Sequence, residues 1–100
     1  MRLTEYEIKA IKETSVKVFG EGSNTYIFGS RVDDTKKGGD IDIFIETDKN
    51  TDIFENKLKF LVELEKKIGE RKIDVVIKSA DSDQNLLIYK IAKAQGVLLK

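Results

Sequence analysis

Three aspartates occupy positions where aspartate is unusual. Asp40 and Asp42 open an otherwise apolar run, Asp40-Ile41-Asp42-Ile43-Phe44-Ile45-Glu46, and Asp74 lies inside another, Ile73-Asp74-Val75-Val76-Ile77. Aspartate is depleted in strands because its short polar side chain competes with the ladder for backbone hydrogen bonds. Residues two apart on an extended chain share a face, so Asp40 and Asp42 present both carboxylates to one side, roughly 6.6 Å apart along the strand. Carboxylates that close repel each other, and a divalent cation between them reverses the cost. Hard oxygen ligands of this kind suit Mg²⁺ or Mn²⁺. Asp74, supplied by a neighbouring strand, would complete a three-carboxylate metal site. Upstream, Gly29-Ser30 directly follows Thr25-Tyr26-Ile27-Phe28. A glycine there lets the backbone approach a ligand, and the turn N–H groups with the Ser30 hydroxyl can hold phosphate oxygens. Arg31 can neutralise phosphate charge through a bidentate contact, and Lys36 and Lys37 lie on the same loop. Each feature also has a plain structural explanation. Asp40 and Asp42 can form a solvated strand mouth, Asp74 can face solvent on an edge strand beside Lys72, and Gly29-Ser30 can be an ordinary turn. It is their order and spacing taken together that points to chemistry.

Composition narrows that chemistry further. The chain has no histidine and no cysteine. The commonest general base, the Ser-His-Asp system, His-ligated zinc, thiolate metal sites and disulfides are therefore excluded. Catalysis must rest on carboxylates, lysines, arginines, hydroxyls or a borrowed metal. Charged residues make up 36% of the chain, against roughly 25% in an average domain. Lys and Arg number 18, as do Asp and Glu, so the formal net charge is zero. That balance argues against nucleic acid as a partner, which usually requires a basic excess. The N-terminal stretch lacks an apolar core of the kind a signal peptide carries, and no apolar run approaches the ~18 residues of a membrane span. A soluble, cytoplasmic protein with no membrane association is expected. The 100 residues match the size of a single domain covering 1–100.

The elements that must position these residues follow from periodicity. Thr4 with Glu7 has capping-box spacing, Leu3 and Ile8 occupy staple positions, and Ile8, Ile11, Val18 and Phe19 mark a helix that Gly20 and Gly22 end. Residues 25–28 read as a buried strand, 31–39 as a loop, and 40–46 as a central strand whose leading end carries acids. Asp52 with Glu55 offers a second capping pair, and Phe54, Leu58, Leu61, Leu64 and Ile68 mark the core stripe of a helix closed by Gly69. Residues 73–77 form a third strand. A last helix starts within Asp81–Gln84, carries Leu87, Ile88, Ile91 and Ala94, and ends at Gly96. Val97-Leu98-Leu99 is a short strand or a packed tail. The interval between the second and third strands holds a full crossover helix, which is the geometry of a parallel pair. The shorter connection before it allows an antiparallel first pair. The expected fold class is α+β (α/β-type), a mixed β-sheet of three to four strands covered by helices.

The ordered set Phe28-Gly29-Ser30-Arg31, Gly38-Gly39-Asp40-Ile41-Asp42-Ile43 and Ile73-Asp74-Val75 resembles the minimal nucleotidyltransferases of the DNA polymerase β-like superfamily. Their signature is a strand ending in Gly-Ser, a loop of roughly ten residues, an Asp-x-Asp strand and a third acid on a later strand. The resemblance spans nearly the whole chain. One departure is Val32-Asp33-Asp34, which stands where family loops often carry an Arg-Gly step. The resemblance implies a palm-like fold and an Mg²⁺-dependent transfer of a nucleotidyl group from ATP or another nucleoside triphosphate. It implies catalytic and metal-binding roles for Asp40, Asp42 and Asp74, with two Mg²⁺ ions (or Mn²⁺) held between them. It also implies nucleotide-binding roles for Gly29, Ser30 and Arg31. Relatives of this size often work with a separate helical HEPN-type protein, and some are antitoxins that attach AMP to a partner's tyrosine. Protein adenylylation in a toxin–antitoxin pair is the favoured expectation. The alternatives are a binding-only antitoxin, or a nucleotidyltransferase acting on RNA or a small molecule. A homo-oligomer is also allowed.

Overall fold

The computed structural model describes residues 3–28, 41–49, 52–79 and 87–99, the side chains of Ile88 and Ala92 excepted. The elements run α1 (Glu5–Phe19), β1 (Asn24–Phe28), β2 (Ile41–Glu46), α2 (Ile53–Ile68), β3 (Ile73–Lys78), α3 (Leu87–Gln95) and β4 (Val97–Leu98). The sheet order is β3-β2-β1-β4. β1 pairs antiparallel with β2 and with β4, whereas β2 and β3 are parallel. This is the expected mixed sheet, and Val97-Leu98 resolves as a strand. No helix among the described residues is long and apolar enough to cross a membrane.

The first helix begins as its sequence dictates. Thr4 Oγ1 accepts the Glu7 N–H at 3.1 Å, and Glu7 Oε1 accepts the Thr4 N–H at 2.9 Å, closing the capping box. Gly20 ends the helix at φ 96°, a conformation that disfavours a side chain, and returns its N–H to the Val16 carbonyl at 2.8 Å. Alternation along the strands then divides the core. Ile27, Ile41, Ile43, Ile45 and Val75 point to one face, where they pack with Ile11, Val18 and Phe19 of α1 and Phe60 and Leu64 of α2. The opposite face carries Tyr26, Phe44, Phe28 and Val76, which pack with Tyr89 of α3. The sheet is thus sandwiched between a helix pair and a single helix. α1 and α2 are joined by the Phe19–Phe60 ring contact at 6.1 Å, by Lys17–Glu63 at 3.2 Å and by the Tyr6 hydroxyl donating to the Lys67 carbonyl at 2.8 Å.

Two expectations for α2 need correction. Asp52 precedes the helix, but its side chain makes no cap bond, because it sits at φ 56°, ψ 30°. An N-cap side chain reaches the N2 or N3 amide from an extended backbone, and a left-handed residue aims it elsewhere. The core stripe is also rotated from the expected one. Phe54 and Leu58 are 71% and 48% exposed, while Phe60 and Leu64 are fully buried. Phe60, Leu64 and Ile68 repeat at every fourth residue and define the buried face, with Leu61 partly buried beside them. The expected start of α3 within Asp81–Gln84 lies outside the described residues.

Candidate active site on the sheet face beneath α3

Strand register arranges nine side-chain positions on the face opposite the helix pair as three rows. In antiparallel β1–β2, Phe28 pairs with Asp42, Tyr26 with Phe44 and Asn24 with Glu46. In parallel β2–β3, Asp42 pairs with Asp74, Phe44 with Val76 and Glu46 with Lys78. The first row is therefore Phe28–Asp42–Asp74, the second Tyr26–Phe44–Val76 and the third Asn24–Glu46–Lys78.

The first row brings together two of the three candidate acids. Asp42 and Asp74 are matched residues on adjacent strands, roughly 4.8 Å apart across the sheet, and face the same side. Asp42 is half-buried and Asp74 exposed, so a ligand can approach from the Asp74 side. Asp40, Gly29, Ser30 and Arg31 lie outside the described residues, as does the loop with Lys36 and Lys37. Among the described residues no three acids cluster closely enough to hold a metal ion. The donor set here is two carboxylates at a strand mouth, with no nitrogen or sulfur ligand. That chemistry fits a hard divalent cation such as Mg²⁺ or Mn²⁺.

The second row is an apolar band. Phe44 is fully buried between two tyrosines, with ring centroids 5.7 Å from Tyr26 and 5.8 Å from Tyr89. α3 is thereby seated across the middle of the face.

The third row is charged, and the sequence reading passed over it. Glu46 Oε1 accepts the Tyr26 hydroxyl at 3.2 Å, while Oε2 lies 3.3 Å from Lys93 Nζ and 3.5 Å from Lys78 Nζ. Burial works to raise the Glu46 pKa, but the Lys93 hydrogen bond and charge, helped by Tyr26 and Lys78, outweigh it and hold the carboxyl below its ordinary value. Burial, with the Glu46 charge beside it, pushes the Tyr26 phenol up. A cleft of about 420 Å³ opens here, lined by Asn24, Glu46, Asp48, Lys78 and Lys93 among others. The signal for this row was available in the sequence: Glu46 lies four residues after Asp42, and Lys78 four after Asp74, so period-two alternation puts each pair on one face.

A four-stranded mixed sheet with a helix pair behind it is consistent with the nucleotidyltransferase fold. The sequence profile described as "Polymerase beta, Nucleotidyltransferase" matches residues 8–100. The chain belongs to this polymerase β-like nucleotidyltransferase family, and its substrates accordingly include a nucleoside triphosphate. No curated protein sequence matches the chain significantly.

Proposed function

We propose that the chain transfers AMP from ATP to a hydroxyl acceptor, a tyrosine on a HEPN-type partner in a toxin–antitoxin pair, breaking the bond between the α- and β-phosphates and releasing pyrophosphate, with Asp40, Asp42 and Asp74 as the metal-holding acids. One observation carries the reading: Asp42 and Asp74, 32 positions apart in the chain, stand in register on one face of parallel strands. Carboxylates held side by side repel each other, and a divalent cation between them reverses that cost.

Asp42 and Asp74, with Asp40 just before β2, would hold two Mg²⁺ ions, or Mn²⁺. When bound, these supply charge neutralisation for the triphosphate and a lowered pKa for the acceptor hydroxyl. The protein's own groups do the rest. The Gly29 backbone and Ser30 hydroxyl fix phosphate oxygens at the end of β1, with Arg31 neutralising their charge. Asp74, on the solvent side, accepts the acceptor's proton; without histidine a carboxylate is the natural base. Phe28 stands opposite Asp42 on β1 and borders the acid pair on that side.

The test is incubation with each α-labelled nucleoside triphosphate and Mg²⁺, with and without a HEPN-type protein. Label on a partner tyrosine, from ATP above the other nucleotides, is the expected result. Label on RNA or a small metabolite instead would redirect the acceptor assignment. No incorporation under any condition would favour a binding-only role.

A further inference from the structure

We propose that the charged row at the far end of this sheet face is a second binding site, for a small phosphate-bearing anion seated between Lys78, Lys90 and Lys93. Two ammonium groups, Lys93 at 3.3 Å and Lys78 at 3.5 Å, share the single oxygen Oε2 of Glu46. The other oxygen is occupied by the Tyr26 hydroxyl. One negative charge thus faces two positive ones, and like charges gathered this closely repel. Lys78 has a side chain only 21% exposed, so water screens its excess charge incompletely. Lys90 joins them around a cleft of about 180 Å³, lined by Glu46, Lys78, Tyr89, Lys90 and Lys93. That volume is several times the roughly 30 Å³ share of one water molecule and admits a phosphoryl group. Among the described residues, three lysines against one glutamate give this cleft a net positive charge. The adjoining larger cleft adds the Asp48 carboxylate, which directs an anion toward the Lys90 side. A phosphate oxygen bridging the ammonium groups would complete the charge balance that Glu46 leaves unfinished.

This site is distinct from the aspartate pair. Glu46 and Lys78 each lie four residues along their strands from Asp42 and Asp74, about 13 Å away. The Tyr26–Phe44–Tyr89 stack lies between the two ends. The ligand would also touch α3 directly, because Lys90, Lys93 and Tyr89 all belong to it.

The experiment is an NMR amide-shift titration of the full chain with inorganic phosphate in the presence of EDTA, which withholds divalent cations from the aspartate end. Saturable shifts centred on Asn24, Lys78 and Tyr89–Lys93 are expected. K78Q/K93Q should weaken the affinity about tenfold or more, matching loss of charge-assisted contacts of about 1.4 kcal/mol or greater. Lys90 is exposed and outside the Glu46 ion pairs, so K90Q should keep the fold and still weaken binding several-fold. D42N should bind as the parent does. Absence of saturation, unchanged affinity in both lysine variants, or shifts confined to Asp42 and Asp74 would overturn the proposal.

Discussion

Asp42 and Asp74 are direct neighbours across a parallel strand pair, and the strand β2 that carries Asp42 is also bonded on its other side to β1. The central strand fixes one acid, and the edge strand supplies the other from the solvent side. The preorganisation of the pair comes from backbone register, so removing either carboxylate need not disturb the fold.

Asp42→Asn and Asp74→Asn should each lower nucleotidyl transfer by about 100-fold or more, since loss of even an outer-shell group of a metal site commonly costs 10–100-fold. Both variants should melt within a few degrees of the parent in metal-free buffer. Steady-state transfer assays and thermal melts in EDTA check the two halves separately.

Phe60→Ala should destabilise the fold by about 3–5 kcal/mol, because the ring is fully buried against Phe19. Phe54→Ala should stay within about 0.5 kcal/mol, because that side chain is 71% exposed. Urea denaturation of the two variants measures the rotational setting of α2.

Thr4→Ala should cost about 1 kcal/mol by opening the capping box. Asp52→Gly should be neutral or stabilising by less than about 1 kcal/mol. Asp52 makes no cap bond and sits at positive φ, where glycine is at ease. The same denaturation measurement separates the two caps.

Acid should weaken the fold in part through Glu46 and Glu7. In both, burial is outweighed: in Glu46 by Lys93, Tyr26 and Lys78, and in Glu7 by Thr4 and Arg71. Each folded-state pKa is therefore below the ordinary value of 4.5. The folded state binds fewer protons than the unfolded state as the pH drops below that value. Their stabilisation is thus full above 4.5 and is lost as the pH falls through the folded pKa. Glu46→Gln should flatten the acid limb of a stability–pH curve while leaving Glu7's share in place.

Much of this architecture was legible from pattern alone. Thr4 and Glu7 announced α1, Gly20 and Gly69 ended helices, and the crossover between β2 and β3 required parallel pairing. What pattern could not settle was rotation and register. Phe54 and Leu58 fit a helical stripe as well as Phe60 does, and only packing against α1 and the sheet selects between the faces. Asp52 looked like a cap because residue type does not reveal φ. That Asp74 stands opposite Asp42, rather than a residue earlier or later, depends on long-range pairing that local sequence does not encode. Alternation alone places Glu46 and Lys78 on the face of Asp42 and Asp74, but that Lys93 of α3 meets Glu46 depends on how α3 packs across the sheet.

The most direct test of the central claim is a calorimetric titration of Mn²⁺ into the chain with a non-hydrolysable ATP analogue, repeated with Asp42→Asn and Asp74→Asn. Metal-dependent nucleotide binding in the parent, lost in both variants, is the predicted result. Binding of equal strength in Asp74→Asn would contradict it, because the register of Asp42 and Asp74 would then have no part in holding the metal.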